Sequence, residues 1–150
     1  LSPEDDYNNT YAASVIGSLR QAEGRHSEAI PSFRRALKGV QKIYEADLVE
    51  IAQVRISLAS SLLASEEPAA INEAESLIES AFETLERNRE PENETTLGLA
   101  YLERGRLHIA RDDRKAARAD TEEALKRLDA PEYSQKRRQA VALMRKLAVR

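Results

Sequence analysis

Histidines and carboxylates are the groups in this chain that could do catalytic or metal chemistry, and their spacing argues against both. His26 and His108 are the only histidines. A zinc or calcium site needs several ligands that converge, and no His-x3-His, His-Glu-x2-His or calcium-loop spacing occurs. The absence of cysteine removes thiolate ligands, thiol nucleophiles and disulfides together. Glu73, Glu75, Glu79, Glu83 and Glu86 set carboxylates along one helix face, several of them four apart. Acids on a solvated face lack the burial that would separate their pKa values into acid and base roles. Neither a glycine-rich phosphate loop, a nucleophile elbow nor a kinase signature is present. The expectation is a chain that is not an enzyme and takes no cofactor or metal.

The elements that hold these residues are helices. Of 150 residues, 41% are hydrophobic and 33% charged, but only 5% are aromatic, beside abundant Ala, Leu, Arg and Glu; that composition suits one compact domain or a short repeat array of helices. No apolar run approaches the roughly 20 residues that span a bilayer. The start, Leu1-Ser2-Pro3-Glu4-Asp5-Asp6, lacks the basic-then-apolar order of a signal peptide. A soluble, cytoplasmic chain with no membrane contact is expected, and a start without Met fits a piece of a longer protein. Net charge is −3 but uneven: residues 45–94 hold thirteen acids and three bases, residues 101–150 fourteen bases and eight acids. A nucleic-acid face would interleave aromatics among its bases, whereas the basic half has only Tyr101 and Tyr133 and is studded with acids, so no nucleic-acid partner is expected.

Apolar periodicity predicts seven helices and no strand. Ser2 before Pro3, Glu4 and Asp5 reads as a capped start to a first helix reaching Ala22, with Tyr11, Val15, Ile16 and Leu19 as its apolar stripe and Gly24 at a tight turn. The second, over 27–46, carries Ala29, Ile30, Phe33, Leu37, Val40 and Tyr44 and holds Pro31 in its first turn. Asp47 is the candidate cap of the third, from Leu48 to Ala64, and Ser65-Glu66-Glu67-Pro68 ends it. Helices over about 70–88, 94–110 and 113–128 follow, the last capped by Asp112 or Asp113. Ser134 is the expected cap of a terminal helix over about 134–149, whose apolar stripe (Ala140, Val141, Met144, Leu147) lies beneath six bases in residues 134–150.

Within these helices small residues recur in phase. Ala13-x2-Ile16-Gly17, then Gly24, then Ala29-x3-Phe33-x2-Ala36-Leu37, in the stretch GSLRQAEGRHSEAIPSFRRAL, closely resembles a tetratricopeptide repeat. Tyr101, Gly105, Ala117, Ala124 and Leu125 repeat the pattern with the same twelve-residue step from glycine to alanine. There, Arg104 and Thr121 replace an apolar and an aromatic residue, which predicts loose packing or a shifted register. Leu58, Ala59, Leu62, Ala74, Ile78 and Ala81 align a weaker middle pair, whose three surplus residues are placed in the turn Ser65–Asn72. The repeats lie 42 to 46 residues apart rather than the usual 34, resembling the long variant found in kinesin light chains and bacterial regulatory proteins.

The resemblance implies an all-α, right-handed α-solenoid of about three antiparallel helix pairs (about 3–46, 48–88 and 94–128) with a terminal capping helix, one domain over 1–150. Gly17, Ala29 and Ala36 should let paired helices approach, with Ile16 and Phe33 packing across them. His26 and His108 fall where the family has a partly buried aromatic, which gives them a packing role. The family binds partners on the concave face of its first helices, which here implies Tyr11, Ser14, Ser18 and Gln21, then Gln53, Ile56, Ser57 and Ser60, then Leu99, Leu102, Glu103 and Arg106. Ser, Gln and Tyr suit an extended backbone or a helix end, and Ile56, Leu99 and Leu102 suit side-chain anchors. Arg138 and Arg145 would join Arg106 to receive acidic residues. The Lys and Asn residues with which some members clamp a chaperone carboxyl terminus are missing: Ser14, Ser18, Ser57, Leu99 and Glu103 stand in their places. The implied function is binding of a peptide or helix by a non-enzymatic module of a larger regulatory protein. The alternative is self-association through exposed apolar flanks of the end repeats.

Overall fold

In a computed structural model, which describes residues 2–44 and 48–149, all regular structure is helical. The described residues form seven α-helices and no strand: α1 (Pro3–Ala22), α2 (His26–Ile43), α3 (Val49–Ala64), α4 (Pro68–Arg87), α5 (Glu94–Ala110), α6 (Arg114–Arg127) and α7 (Ser134–Ala148). Single 3-10 turns, Pro91–Asn93 and Pro131–Tyr133, lead into α5 and α7. The fold class is the one that the periodicity predicts. Contacts gather in two compact units, Leu1–Thr84 and Leu85–Arg150, with the boundary in the last turn of α4.

Local chemistry explains most helix ends. Ser2 caps α1 in a reciprocal box: its hydroxyl accepts from the Asp5 amide at 3.2 Å, and the Asp5 carboxylate accepts from the Ser2 amide at 3.1 Å. The hydrogen bond from the Ser2 side chain holds the Asp5 carboxyl below its ordinary value. Asp113, of the two candidates, caps α6 by accepting from the Ala116 amide at 3.0 Å. Ser134 does not cap α7; it is the first helical residue, and Tyr133 precedes it without a side-chain bond. Pro31 is the sixth residue of α2 rather than part of its first turn, so it withdraws the amide that would bond the exposed Ser27 carbonyl residue. Asp47 and the end of the predicted 27–46 helix lie outside the described residues.

The three turns inside the pairs are built alike. Their first helices end at Ala22, Ala64 and Ala110, and the second begin at His26, Pro68 and Arg114, three residues intervening each time. The middle of each turn has a left-handed backbone: Gly24 at φ 75°, Glu66 at 58° and Asp112 at 60°. Equivalent amides close them, Gly24 onto the Gln21 carbonyl, Glu66 onto Leu63 and Asp112 onto Ile109. The surplus of the middle pair is therefore not in its turn, as the sequence reading has it. It lies inside α4, whose fully buried Ala74, Ile78 and Ala81 sit three residues deeper than Ala29, Phe33 and Ala36 do in α2.

Close approach of paired helices recurs at positions 88 residues apart. A Cβ on Gly17 would meet the Phe33 ring at 2.9 Å, and one on Gly105 would meet the Thr121 hydroxyl at 2.9 Å. Thr121 satisfies that hydroxyl on the Ala117 carbonyl at 2.7 Å and is fully buried, so the second unit keeps the register that its departures from the repeat pattern put in doubt. A second contact inverts its sizes. In the first unit Thr10 of α1 packs on Gly39 of α2; at the equivalent places Gly98 of α5 receives Arg127 of α6. The small residue has changed helix while the spacing is kept.

Each unit also seats its second helix on the next first helix. Ala13, Ala36, Val40, Ile51 and Val54 form a cluster with Leu37 and Tyr44, joining α2 to α3. Leu102, Ala124, Leu128 and Ala140 form its counterpart with Leu125, Tyr101 and Leu143, joining α6 to α7. By this docking α7 stands to α6 as α3 stands to α2.

Candidate partner-binding surface

The first helix exposes the face that periodicity assigns to the core. Thr10, Ala13 and Gly17 are buried against α2, while Tyr7, Tyr11, Val15, Ile16 and Leu19 keep 50, 64, 48, 42 and 59% of their surface in solvent. Ile16 therefore does not pack across the pair with Phe33, which meets Gly17 instead. The acids near this face are the exposed Glu4, Asp5 and Glu23. The one base of α1, Arg20, is turned to the second helix, donating to the Ser32 hydroxyl at 2.9 Å and the Glu28 carbonyl at 3.1 Å.

Among the implied binding residues of the first unit, Tyr11, Ser18 and Gln53 are exposed and Ser14, Gln21 and Ser57 half-buried. Gln21 ties two of the first helices together, donating to the Ser57 carbonyl at 3.1 Å and the Ser61 hydroxyl at 2.8 Å. Ile56 and Ser60 are buried, 5 and 6% exposed, so they serve packing and do not present side chains to a ligand in this structure. The reason is that α3 buries residues all round its circumference, from Ile51 and Val54 to Leu58 and Leu62.

In the second unit Leu99 is half-buried on the core cluster, and Leu102 and Glu103 are closed off at 0 and 2% exposure. Leu102 is a core residue rather than an anchor. Arg106 donates to Glu103 at 2.7 Å and to the Gln139 side-chain oxygen at 2.8 Å, linking α5 to α7. The other oxygen of Glu103 is buried without a hydrogen-bond partner. Burial pushes the nearby Lys136 ammonium below its usual pKa, the Glu103 carboxylate opposing and Arg106 adding to the fall. Arg106 is thus engaged inside the unit, whereas Arg138 and Arg145 stand exposed on α7.

A further charged cluster joins α5 and α6 that the residue pattern does not announce. Arg104 makes a two-pronged bond to Asp120 at 2.7 and 2.8 Å, and His108 Nε2 lies 3.3 Å from the same carboxylate. The hydrogen bond that Arg104 donates to Asp120 holds its guanidinium above its usual pKa. Tyr101 meets two guanidinium groups, with Arg104 5.2 Å and Arg127 4.9 Å from its ring centre. The Arg20–Ser32 and His108–Asp120 contacts occupy equivalent positions, 88 residues apart, which is the signal that would have found the second from the first.

Among the described residues, no three His, Cys, Asp or Glu side chains converge as metal ligands, and no helix is long and apolar enough to cross a membrane. A cleft of about 160 Å³ between α1 and α2 is lined by Asp6, Asn9, Thr10, Arg35, Lys38 and Lys42. Neither a protein-family model nor a curated protein matches the chain.

Proposed function

We propose that the chain is a non-enzymatic protein–protein interaction module built on tetratricopeptide-like repeats that stack as a right-handed α-solenoid, and that it holds a peptide or helix on its first-helix faces. One observation carries this reading: α1 has the internal packing of a repeat helix yet leaves Tyr7, Tyr11, Val15, Ile16 and Leu19 in solvent. Patches of that kind mark interaction sites in soluble proteins. The repeated turns at Gly24, Glu66 and Asp112, and the docking of α2 on α3 and of α6 on α7, support the stacking. Tyr11, Ser14, Ser18 and Gln21 remain the best-presented of the implied binding residues, joined by Gln53 and Ser57. A cytoplasmic, regulatory parent protein is part of the same proposal.

The test is selection of peptides from a displayed library against the chain, followed by titration of the selected peptides with variants. Tyr11→Ala and Ser18→Lys are expected to weaken binding tenfold or more while leaving helicity unchanged. Peptides that bind both variants like the parent chain would refute the assignment of this face. The second reading, an assembly element, is favoured by the same exposed face of α1.

A further inference from the structure

Positions 9, 12, 16 and 19 of α1 correspond to 51, 54, 58 and 61 of α3, by the same offset of 42 that relates their turns. On α3 these are Ile51, Val54, Leu58 and Ser61, all buried. On α5 the counterparts Leu97, Ala100 and Leu107 are buried too, and Arg104, the fourth, is half-buried. On α1 Asn9, Ala12, Ile16 and Leu19 are all exposed. The face has the composition of a covered one and lacks its cover.

By docking, α7 is equivalent to α3, with Ala140, Leu143 and Leu147 in the places of Ile51, Val54 and Leu58, and the exposed Ala148 then stands where Gly17, Ala59 and Gly105 stand in the earlier first helices. The outer side of α7 offers small apolar residues, Ala142, Ala148 and Val149, beside exposed Arg138 and Arg145, and the helix has five bases and no acid.

We infer that the exposed face of α1 docks on the outer side of α7 of a second copy, so that the chain assembles head to tail. Two complementarities argue for this occupant. The α1 side is bulky and bracketed by Glu4, Asp5 and Glu23; the α7 side is small and basic. Tyr7 and Tyr11 supply ring faces for Arg138 and Arg145, a stacking that the chain already uses where Tyr101 meets Arg104 and Arg127. The contact joins two different faces, so it leaves one of each free and builds short chains or a ring rather than a closed twofold dimer. The inference rests on the assembly reading above and names its faces.

The experiment is sedimentation velocity across a concentration series, on the whole chain and on two variants, with circular dichroism to check that both remain helical. Leu19→Lys spoils the α1 face; the double variant Arg138→Glu/Arg145→Glu spoils the α7 face. Each is expected to weaken self-association at least about tenfold, because like charges meet across the contact. Mixing the two is expected to restore a 1:1 dimer and nothing larger, since each variant retains one intact face. A whole chain that stays monomeric throughout overturns the inference, as does an α7 double variant that associates like the parent chain. Library peptides still selected on α1 by a monomeric chain would leave the interaction reading standing while this inference falls.

Discussion

The exchanged sizes at the Thr10–Gly39 and Gly98–Arg127 contacts give a sharp test of whether the two helix pairs are built on one plan. In the first pair a Cβ on Gly39 would lie 2.8 Å from both Cβ and Cγ2 of Thr10. Rotating the Thr10 side chain relieves the methyl contact but not the contact with its Cβ, which the backbone fixes. Gly39→Ala gains about 0.5–1 kcal/mol of helix propensity and loses about 1–3 kcal/mol to overpacking; with a contact that rotation cannot relieve, a net loss of about 2 kcal/mol is expected. Thr10→Gly alone should cost about 1–2 kcal/mol, from helix propensity and the lost buried contact. In the double variant Thr10→Gly/Gly39→Ala the obstructing Cβ is gone, so the loss should be about 1 kcal/mol instead of the 3–4 kcal/mol of additive effects. Urea unfolding followed by far-UV circular dichroism measures the whole cycle. The same cycle at Gly98→Ala and Arg127→Gly, where the Arg127 Cβ lies 2.8 Å away, should show coupling of the same sign. Additivity within about 0.5 kcal/mol at either contact would refute the close-approach argument there.

Three further outcomes follow from other parts of the molecule. Asp120→Ala strips Arg104 and His108 of their shared carboxylate and should cost about 2 kcal/mol in the same unfolding assay, the range for bonds to charged groups, whereas Arg118→Ala on an exposed position of the same helix should cost little. Glu66→Gly relieves a left-handed non-glycine residue worth about 1–2 kcal/mol, against about 0.5–1 kcal/mol of added chain entropy, so a small rise in melting temperature is expected; Gly24→Ala, at the same place in the first turn, should lower it. Hydrogen bonds from Lys126 and Arg127 hold the Glu123 carboxyl below its usual 4.5. Its stabilising contribution is present above the unfolded pKa and is lost as pH falls through the folded one; in acid titrations below about pH 4.5, Glu123→Gln should therefore lose less stability than the parent chain.

Helix existence was legible and helix face was only half so, for a reason visible in the pairs themselves. The second helices of the pairs are amphipathic, and Ala29, Phe33, Ala36 and Val40 are buried where the period puts them. Of the first helices, α3 and α5 are packed on more than one side, and apolar residues lie on more than one face of all three, so period alone does not say which side is which. On α1 it selects Tyr11, Val15, Ile16 and Leu19, and the structure buries Thr10, Ala13 and Gly17. The small residues were the truer guide, because a face that admits a neighbouring helix closely must lack bulk. The same ambiguity misplaced the candidate site: Ile56, Ser60 and Leu102 sit on all-round-buried helices, and only packing partners invisible in one helix's pattern decide that they are closed. For Ser60→Lys this reverses the expectation from a change in binding to a loss of stability, since it puts an ammonium where a buried hydroxyl stood.

The second unit shows what does set the register. Arg104 and Thr121 depart from the repeat pattern at sites of expected bulk, yet Gly105 meets Thr121 at the same spacing at which Gly17 meets Phe33. Side-chain volume is therefore not what aligns the pair. Two features shared by both pairs are enough: a glycine that lets the helices close, and a three-residue turn whose left-handed middle residue fixes where the second helix begins. Given that frame, the polar replacements are accommodated by satisfying them locally. Thr121 bonds the Ala117 carbonyl one turn back, and Arg104 takes Asp120 from the facing helix. Each departure is matched to a partner at equivalent depth, so what varies between the units is the chemistry of the contact, and what persists is the distance across which it is made.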